Sequence, residues 1–413
     1  RRRAASRPAH ARLGAAAARP LPAAIARIRS SLGGSPVPCP TWGPRPHAPA
    51  ARLALSITCA KGDAKSSGSS SRSSSIVAGD IGGTNARLQQ WTIKKMDGAE
   101  ETGKHEMVFQ KIYPTSSFFD FDLVLKQFLE DSEAGSVDAA CFAVAGPVSE
   151  GKCKMTNLGW NIDGEELGKE FGIREVSVIN DFEAIGYGVP AIPKDQIFSL
   201  NDVPRDPRAP VAIVGPGTGL GEATLMWDEG LDGYSVHPSE GGHADFAPRG
   251  WKQRALAAYV EEREGFCELE HVLCGNGLVT IHNFLRTQRE LGPSVAGEEM
   301  TAPAITRAAI EDTDPLCREA VDMFLSILGA ECSNQALRTL AKGGVYIAGG
   351  ITPKLLDLVK EGGVLSAFIN ARSPKFSPIL QDIPLDLVLM ETVGLLGAKE
   401  FAVIRWRQNL NKK

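Results

Sequence analysis

The chain has 413 residues, of which 43% are hydrophobic and 23% are charged, and this composition is typical of a soluble globular protein with two substantial domains. No apolar run approaches the ~20 residues that a membrane span needs, so we expect no membrane partner. The net charge of −4 combines two unlike parts. Residues 1–62 hold eleven Arg or Lys and no acid, whereas residues 63–413 hold the other 34 basic residues and all 49 acidic ones. This acidic body argues against a nucleic-acid partner.

The cysteine pattern signals neither a zinc site nor a disulfide framework, because the eight cysteines are scattered and no C-x-x-C pair occurs. We expect reduced, mostly buried thiols in a non-secretory compartment. The cysteines are Cys39, Cys59, Cys141, Cys153, Cys267, Cys274, Cys317 and Cys332.

Residues 1–75 are predicted to be a targeting sequence followed by a flexible leader. The segment is rich in Arg, Ala, Ser and Pro and lacks the long apolar core of a secretory signal. The motif SITCAKG at 56–62 resembles a chloroplast processing site with cleavage after Ala60, and the Ser/Gly tract 65–75 would remain as the leader. We therefore expect a location in the chloroplast stroma. A mitochondrial presequence suits the same composition, and a basic arm on a cytoplasmic protein is the third interpretation.

The body of the protein opens at 76–85 with the sequence IVAGDIGGTN. The apolar run predicts a buried strand, Gly82 and Gly83 predict a tight reversal, and ARLQQWTI predicts a second strand. Glycines at such a turn let backbone N–H groups approach a polyanion, because no Cβ stands in the way. Asp80 would place a carboxylate beside those phosphates, where Mg²⁺ is held. Taken alone, the stretch also suits an ordinary hairpin.

Together with these two strands, the first half has the predicted element order βββαβα, which implies a mixed sheet with helices packed on it. An amphipathic helix is predicted from about Phe118 to Leu129, with Ser116 or Ser117 as its cap. The other predicted elements are strands at Met107–Ile112, Ala139–Ala145 and Val176–Ile179 and a helix at Glu165–Phe171.

The second half repeats this plan. The strand Val211–Val214 runs into a second glycine loop, GPGTGLG at 215–221, and two such strand–glycine turn–strand units suggest two related domains facing each other across a nucleotide. The further predicted elements are strands at Ala223–Trp227, Val345–Ala348 and Leu385–Met390, and helices at 252–264, 275–288, 316–340, from Pro353, and at Gly397–Arg405.

Neither glycine loop is a familiar phosphate cradle. The chain lacks G-x-x-x-x-G-K-[ST], and Leu220 stands where G-x-G-x-x-G needs its last glycine, so a P-loop enzyme and a Rossmann dehydrogenase both fit poorly. Two separated Gly-Thr loops instead favour a grip on a triphosphate from both sides. In that arrangement, Thr84 and Thr218 offer hydroxyl groups to phosphate oxygens.

Asn180 and Asp181 directly follow the predicted strand VSVI. A carboxylate at the C-terminal end of a strand faces the cleft of an α/β enzyme. Asp181 would there accept the proton of a substrate hydroxyl that attacks phosphorus, a contribution of roughly 10²–10⁴-fold. The alternative is that Asn-Asp simply caps a helix over FEAIGYG.

Two further segments hold candidate polar residues. SEGGHADF at 239–246 places Glu240 and His243 around two glycines, which predicts a loop that wraps a ligand. We do not predict zinc there, because His237 is too loosely placed to be a second ligand. Glu270, in CELEHVLCGNG, carries no local signal and by itself predicts a solvated helix residue.

Seven segments together resemble the bacterial-type glucokinase family of the sugar kinase, actin and Hsp70 superfamily. They occur in order over nearly all of 76–405, and 1–75 lies outside the resemblance. The segments are IVAGDIGGTN (76–85), AVAGPVSEGKCKMTNLGW (143–160), INDFEAIGYG (179–188), GPGTGLGEA (215–223), SEGGHADFAP (239–248), EHVLCGNGL (270–278) and GGVYIAGGI (343–351).

The resemblance implies an α/β fold of two RNase H-like (actin-like ATPase) domains, whose mixed sheets face a central cleft. The small domain would span 76–190 and the large domain 191–390, and a C-terminal helix within 391–413 would pack back on the small domain. ATP and D-glucose would bind in the cleft, and the protein would be a homodimer.

The resemblance also implies roles for individual residues. Asp181 would be the base that activates the sugar O6 hydroxyl for in-line attack on the γ-phosphate, and Asp80 would position Mg²⁺ through water. The sugar would be held by Asn180, Asp181, Glu240, His243 and Glu270, since each hydroxyl needs a donor and an acceptor. The nucleotide would lie against Gly79, Asp80, Ile81, Gly82, Gly83, Thr84, Gly217, Thr218, Gly219, Gly349 and Gly350.

Two departures from the family pattern concern the second loop. Pro216 removes one backbone N–H, and Glu222 places an acid just beyond the loop, so both predict weaker nucleotide binding with the same reaction. The zinc-binding cysteine cluster of the related repressor–kinases is missing.

The predicted function is ATP-dependent phosphorylation of D-glucose to glucose 6-phosphate, with mannose or fructose as the alternative substrate. A transcriptional regulator is disfavoured by the low-complexity N-terminal segment and the acidic body. A sugar sensor without turnover is disfavoured by the presence of Asp181 and of both loops.

Overall fold

The computed structural model describes residues 73–94, 104–155, 157–289, 300–370 and 373–411. The predicted targeting segment lies outside these residues except for Ser73–Ser75, which were assigned to the leader. That assignment was wrong for these three residues, because they pair with Thr92–Lys94 and so extend the first strand.

The described residues form two large mixed sheets, one small sheet and the helices that cover them. The strands are β1 Ser73–Ile81, β2 Asn85–Lys94, β3 Lys104–Pro114, β4 Ala139–Val144, β5 Val148–Ser149, β6 Lys152–Lys154, β7 Asn161–Asp163, β8 Glu175–Asn180, β9 Ile197–Ser199, β10 Val211–Pro216, β11 Leu220–Asp228, β12 Gly233–Ser239, β13 Gly344–Ile347 and β14 Leu385–Val388. The helices are α1 Phe121–Asp131, α2 Gly164–Phe171, α3 Asp181–Gly188, α4 Gly250–Glu264, α5 Gly275–Gln288, α6 Ala302–Ile310, α7 Pro315–Thr339, α8 Leu356–Lys360, α9 Gly363–Ile369, α10 Ser377–Gln381 and α11 Val393–Asn411.

The first sheet has the strand order β3-β2-β1-β4-β8. β1 pairs with β2 as a hairpin and runs parallel to β4, which in turn runs parallel to β8. Side chains alternate between the faces of a strand, so Val77 packs towards α1 and Ile76 and Ala78 pack towards α11. Both faces are therefore buried, which explains why β1 and β4 appear in the sequence as unbroken apolar runs.

The second sheet repeats this arrangement with the order β12-β11-β10-β13-β14-β9. β10 and β11 form the second hairpin across the glycine loop, and β10, β13 and β14 are parallel. The predicted pair of strand–glycine turn–strand units is thus confirmed. The long helix α7 packs into the main core beside this sheet. No helix in the described ranges is both long and apolar enough to cross a bilayer.

Several local predictions were wrong or incomplete. Ser116 and Ser117 lie in a 3-10 turn and do not cap α1, because Asp120 accepts the hydrogen bond from the Leu123 N–H. The chain after Pro353 first forms a 3-10 turn and becomes α-helical only at α8. The sequence analysis also missed β5–β7, β9, β12, α6, α9 and α10, most of which are short.

The C-terminal helix α11 covers one face of the first sheet and lies unusually close to α3. A Cβ built on Gly397 would lie 1.6 Å from the Ala184 carbonyl oxygen, and one built on Gly188 would lie 2.3 Å from the Val393 carbonyl oxygen. Only glycine at both positions permits this approach. The domain boundaries near 190 and 390 stay predictions.

We predict that Gly397→Ala will lower the free energy of unfolding by roughly 1–3 kcal/mol, because the added methyl group forces α11 away from α3. Urea unfolding of the purified protein measures this change. The matched control is Gly363→Ala in α9, where a Cβ meets no atom within 4 Å. The close-packing argument fails if the two variants unfold at the same urea concentration.

Candidate active site

Asn180 ends β8 and caps α3. Its side-chain oxygen accepts hydrogen bonds from the Phe182 and Glu183 N–H groups at 2.8 and 3.3 Å, and its side-chain nitrogen donates to the Gly146 carbonyl at 3.1 Å. The helix-cap interpretation of Asn180 is therefore correct. The Asn180 side chain also forms a hydrogen bond with the Asp181 carboxyl, which lowers the pKa of that group.

Asp181 is the first residue of α3, at the C-terminal end of a parallel strand. The pKa of its carboxyl is raised to about 6, mainly by burial; the hydrogen bond from the Phe182 N–H at 3.0 Å opposes the shift, and the nearby Asp80 carboxylate adds to it. Asp181 therefore stays ionised at neutral pH yet has a pKa close to the working pH, which suits a general base.

The first glycine loop joins β1 to β2. The Gly82 N–H donates to the Asn85 carbonyl at 3.0 Å. Thr115 stabilises the loop, because its N–H donates to the Thr84 carbonyl and its hydroxyl donates to the Gly83 carbonyl. A Cβ on Gly83 would meet no atom within 4 Å, so this side of the loop is open to a ligand.

Two of the residues predicted to bind nucleotide face the protein core instead. Gly79 is buried in β1, where a Cβ would lie 2.8 Å from the Phe142 ring, and the Ile81 side chain is 1% exposed. Only their backbone groups are in a position to serve a ligand. Asp80 lies between them and forms an ion pair with Arg87 at 3.3 Å, and its pKa is raised by burial.

The second glycine loop, with Gly217 and Gly219, lies between β10 and β11. The Gly217 N–H donates to the Gly219 carbonyl at 2.8 Å, and the Gly275 N–H at the start of α5 donates to the Gly217 carbonyl at 2.9 Å. Thr218, at the tip of the loop, is exposed. The N-terminus of α5 is thereby fixed against the phosphate loop, an arrangement that suits anion binding.

Glu270 holds this loop, and its prediction as a solvated helix residue was wrong. One carboxylate oxygen accepts a hydrogen bond from the Leu220 N–H at 2.8 Å. A Cβ on Gly219 would lie 2.5 Å from the same oxygen, so the glycine is needed for the contact. The Glu270 N–H also donates to the Gly242 carbonyl at 2.9 Å, which links the second loop to the SEGGH segment.

Glu240 precedes a short 3-10 turn over Gly241–His243, and His243 is the last residue of that turn. The His243 Nδ1 lies 2.9 Å from a Glu268 carboxylate oxygen, and this hydrogen bond raises the pKa of the imidazole. Both Glu240 and His243 are exposed, as a residue that contacts a small polar ligand must be before the ligand binds. Sequence analysis missed Glu268, since its partner lies 25 residues away.

A cavity of about 1070 Å³ lies beside the second loop and is large enough for a nucleotide. Gly350 lines it, and Gly349 adjoins it with a left-handed φ of 92° that favours glycine. Sequence analysis did not predict the charged and polar lining residues Arg87, Asn276, Thr301, Arg307 and Lys354. Arg87 also pairs with Asp80, so it joins the first loop to the cavity wall.

Phe182 brings the two halves of the site together. Built Cβ atoms on Gly215 and Gly221 would lie 2.5 and 2.1 Å from its ring. The ring therefore packs directly on the backbone of both strands that carry the second loop. Because Phe182 directly follows Asp181, this packing fixes the position of the Asp181 carboxylate relative to the second glycine loop.

Among the residues that the structure describes, two groups of side chains have the chemistry to hold a metal. Asp80, close to Asp181, supplies oxygen ligands of the kind that Mg²⁺ prefers. His282, Asp314 and Cys317 bring ligand atoms within 4.8 Å of one another on α5 and α7, and sequence analysis missed this cluster. One Asp314 oxygen is already engaged in capping α7.

The chain matches the sequence model of the family described as Glucokinase over residues 77–404. It is 37% identical over 341 residues to a glucokinase of Nostoc punctiforme, an alignment that covers 78% of this chain and 97% of the relative. It is 35% identical over 347 residues to a glucokinase of Synechocystis sp., with 78% and 96% coverage.

Solved structures also show similarity to glucokinases. Glucokinase from an Antarctic psychrotroph superposes with a TM-score of 0.70 at 27% identity, covering 80% of this chain and 98% of that one. Two further likenesses show the fold alone. Balamuthia mandrillaris glucokinase in complex with glucose has a TM-score of 0.65 at 23% identity (80% and 93% coverage), and a ROK family glucokinase of Streptomyces griseus in complex with glucose and AMPPNP has 0.52 at 17% (80% and 99%).

The match to the family extends over both glycine loops, the Asn180–Asp181 pair and the SEGGH segment. The fold is the mixed α/β arrangement of the solved glucokinases, which confirms the predicted actin-like fold class. The chain therefore belongs to the glucokinase family.

Proposed function

We propose that the protein transfers the γ-phosphoryl group of ATP to the 6-hydroxyl of D-glucose. The observation that carries this proposal is the Asp181 carboxylate, which sits at the end of β8 with a pKa raised to about 6. Unlike Asp80, it has no ion-pair partner among the described side chains and so keeps its basicity for a substrate. The Nostoc punctiforme and Synechocystis relatives are both glucokinases, which supports the choice of sugar.

The reaction needs little covalent help from the protein. Asp181 accepts the proton of the sugar O6 hydroxyl as the oxygen attacks the γ-phosphorus, and the bond to the β-phosphate oxygen breaks on the opposite side. Backbone N–H groups of the two glycine loops and the Arg87 guanidinium neutralise the charge of the phosphates. The cavity beside Gly217, Thr218 and Gly350 takes the rest of the nucleotide.

Mg²⁺ suits the position beside Asp80. Asp80 and Asp181 are close enough to raise the pKa of Asp181, and a divalent cation would relieve this repulsion. When bound, Mg²⁺ neutralises charge on the transferring phosphoryl group. Asp80 would hold it through water, while Arg87 keeps the Asp80 carboxylate in place.

The sugar would contact Asn180, Asp181, Glu240 and His243. Glu270 has one oxygen engaged with the Leu220 N–H, so only its other oxygen is available to a sugar hydroxyl. These groups form hydrogen bonds with sugar hydroxyls as donors or acceptors. They would therefore also bind a hexose whose hydroxyls have another configuration. Mannose or fructose is therefore the alternative substrate.

We predict that Asp181→Asn will lower kcat for glucose by roughly 10²–10⁴-fold, because the amide cannot accept the hydroxyl proton. A coupled assay of glucose 6-phosphate formation measures kcat. The KM for ATP should stay within about twofold, because the substitution leaves the phosphate loops intact.

The matched control is Glu183→Gln, which removes another carboxylate from the first turn of α3 and should leave kcat near the wild-type value. Equal losses in both variants would assign the effect to the helix and not to a base. Full activity in Asp181→Asn would exclude the proposed mechanism. Turnover of mannose or fructose in preference to glucose would keep the mechanism and change the substrate.

We predict that log kcat/KM for glucose will fall with a slope of one as the pH drops below about 6. The direction follows from the role, since Asp181 must be ionised to accept a proton and burial raises the pKa at which it becomes protonated. Initial rates in buffers of constant ionic strength measure the profile. A rate that is unchanged down to pH 5 would contradict the assignment of Asp181.

We also propose that the mature protein is a homodimer in the chloroplast stroma. The dimer rests on the family resemblance, and the location rests on the composition of residues 1–62. Sedimentation velocity of the protein recovered from purified stroma tests both proposals. A monomeric mass would refute the dimer, and recovery from mitochondria or cytosol alone would refute the location.

A further inference from the structure

A buried carboxylate lies directly beneath the SEGGH segment. Glu222 is on β11 opposite Ser239 of β12, and it is 2% exposed. A Cβ built on Gly241 would lie 1.9 Å from one Glu222 carboxylate oxygen, so the backbone between Glu240 and His243 rests on this side chain. The sequence analysis placed Glu222 near the nucleotide, but the side chain instead contacts α7 and the turn at Gly241.

Glu222 belongs to a polar cluster that joins β11 to α7. The Gln335 side-chain nitrogen donates to Glu222 and also to a second buried acid, Glu331, at 3.2 Å. Glu331 is 1% exposed and accepts further hydrogen bonds from Asn334 at 2.8 Å and from Arg338 at 3.2 Å. Gln335 therefore bridges two carboxyl groups.

The two acids are not equivalent. Both oxygens of Glu331 have donors, and Arg338 and Arg249 supply positive charge to it. The Oε1 atom of Glu222, by contrast, is buried without a partner among the described residues. An ionised carboxylate with such an oxygen is strongly disfavoured, whereas the neutral acid is tolerated. Glu331 therefore carries the charge and Glu222 carries the proton.

The charges around Glu222 agree with this assignment. Glu331 and Arg338 face it from α7, and the buried Cys332 thiol lies on the same helix. The turn packed against it brings only exposed groups, Glu240 and His243. Burial, followed by the Glu331 charge, raises the pKa of Glu222 to about 8.

We propose that protonated Glu222 is a positioning residue for the sugar-binding turn 239–243, and that loss of its proton weakens sugar binding. The proposal rests on the proposed function, since it takes Glu240 and His243 as sugar contacts. An ionised Glu222 carboxylate would be repelled by Glu331 and would need hydration. Water would reach this carboxylate when the turn 239–243 is displaced. The base Asp181 and the first phosphate loop belong to other elements, and the Glu222 side chain contacts α7 and the turn rather than the second loop, so the effect should fall on the KM for glucose.

The experiment compares the wild-type protein with Glu222→Gln between pH 6.5 and 9.5. The amide keeps the shape and a hydrogen-bond acceptor for Gln335 but cannot ionise. We expect the wild-type KM for glucose to rise about fivefold from pH 8 to pH 9, with kcat and the KM for ATP little changed. Glu222→Gln should hold its neutral-pH KM for glucose throughout this range.

Two further variants sharpen the test. Glu331→Gln removes the repelling charge and should shift the rise in KM to lower pH. Asp228→Asn, an exposed acid at the end of the same strand, should keep the wild-type profile. Circular dichroism and urea unfolding confirm that each variant is folded.

Three results would overturn the inference. They are an alkaline rise that persists in Glu222→Gln, a glucose KM already raised at neutral pH in that variant, and a loss confined to kcat. These results leave the proposed function intact, because the wild-type protein is then an active hexose kinase. A wild-type protein that turns over no hexose would instead overturn the proposed function, and this inference with it.

Discussion

The packing of Phe182 on Gly215 and Gly221 is the contact on which the active site depends. The ring occupies the space that side chains on those residues would fill, since built Cβ atoms lie within 2.5 Å of it. The base and the second phosphate loop come from different sheets, and catalysis by positioning tolerates errors of well under an ångström. The Phe182 ring packs directly on the backbone of two glycines, which leaves it little room to move. This packing therefore sets the distance between Asp181 and the second glycine loop.

Local patterns predicted the strands and both glycine loops, because buried strands appear as apolar runs and tight turns appear as glycine pairs. They did not predict how the glycines are used. Gly79, Gly219 and Gly349 make room for Phe142, Glu270 and Pro216, and these partners lie 50 or more residues away. The cap of α1 was misplaced for a simpler reason, since Ser116, Ser117 and Asp120 are all good caps and only the fold selects among them.

The site residues divide in the same way. Asp181 could be predicted from its position directly after a strand. The resemblance of the chain to the glucokinase family indicated the other sugar contacts. Glu270 and Glu268 act through partners that are distant in sequence, and nothing local distinguishes them from solvated charges. Burial raises the pKa of both Asp181 and Glu222, yet the first opens to the site and the second is sealed beneath it. A shifted pKa therefore identifies a role only when the surroundings of the group are known.

The position of α11 has a consequence for the order in which the chain is completed. Ile76, Ala78 and Cys141, near the beginning of the body, are covered by Ala398, Ala402 and Trp406, near its end. Until synthesis reaches α11, one face of the first sheet is an uncovered apolar surface. The first sheet is thus begun before the second sheet but is covered only after it. A chain released before α11 is made would expose one apolar face of the first sheet.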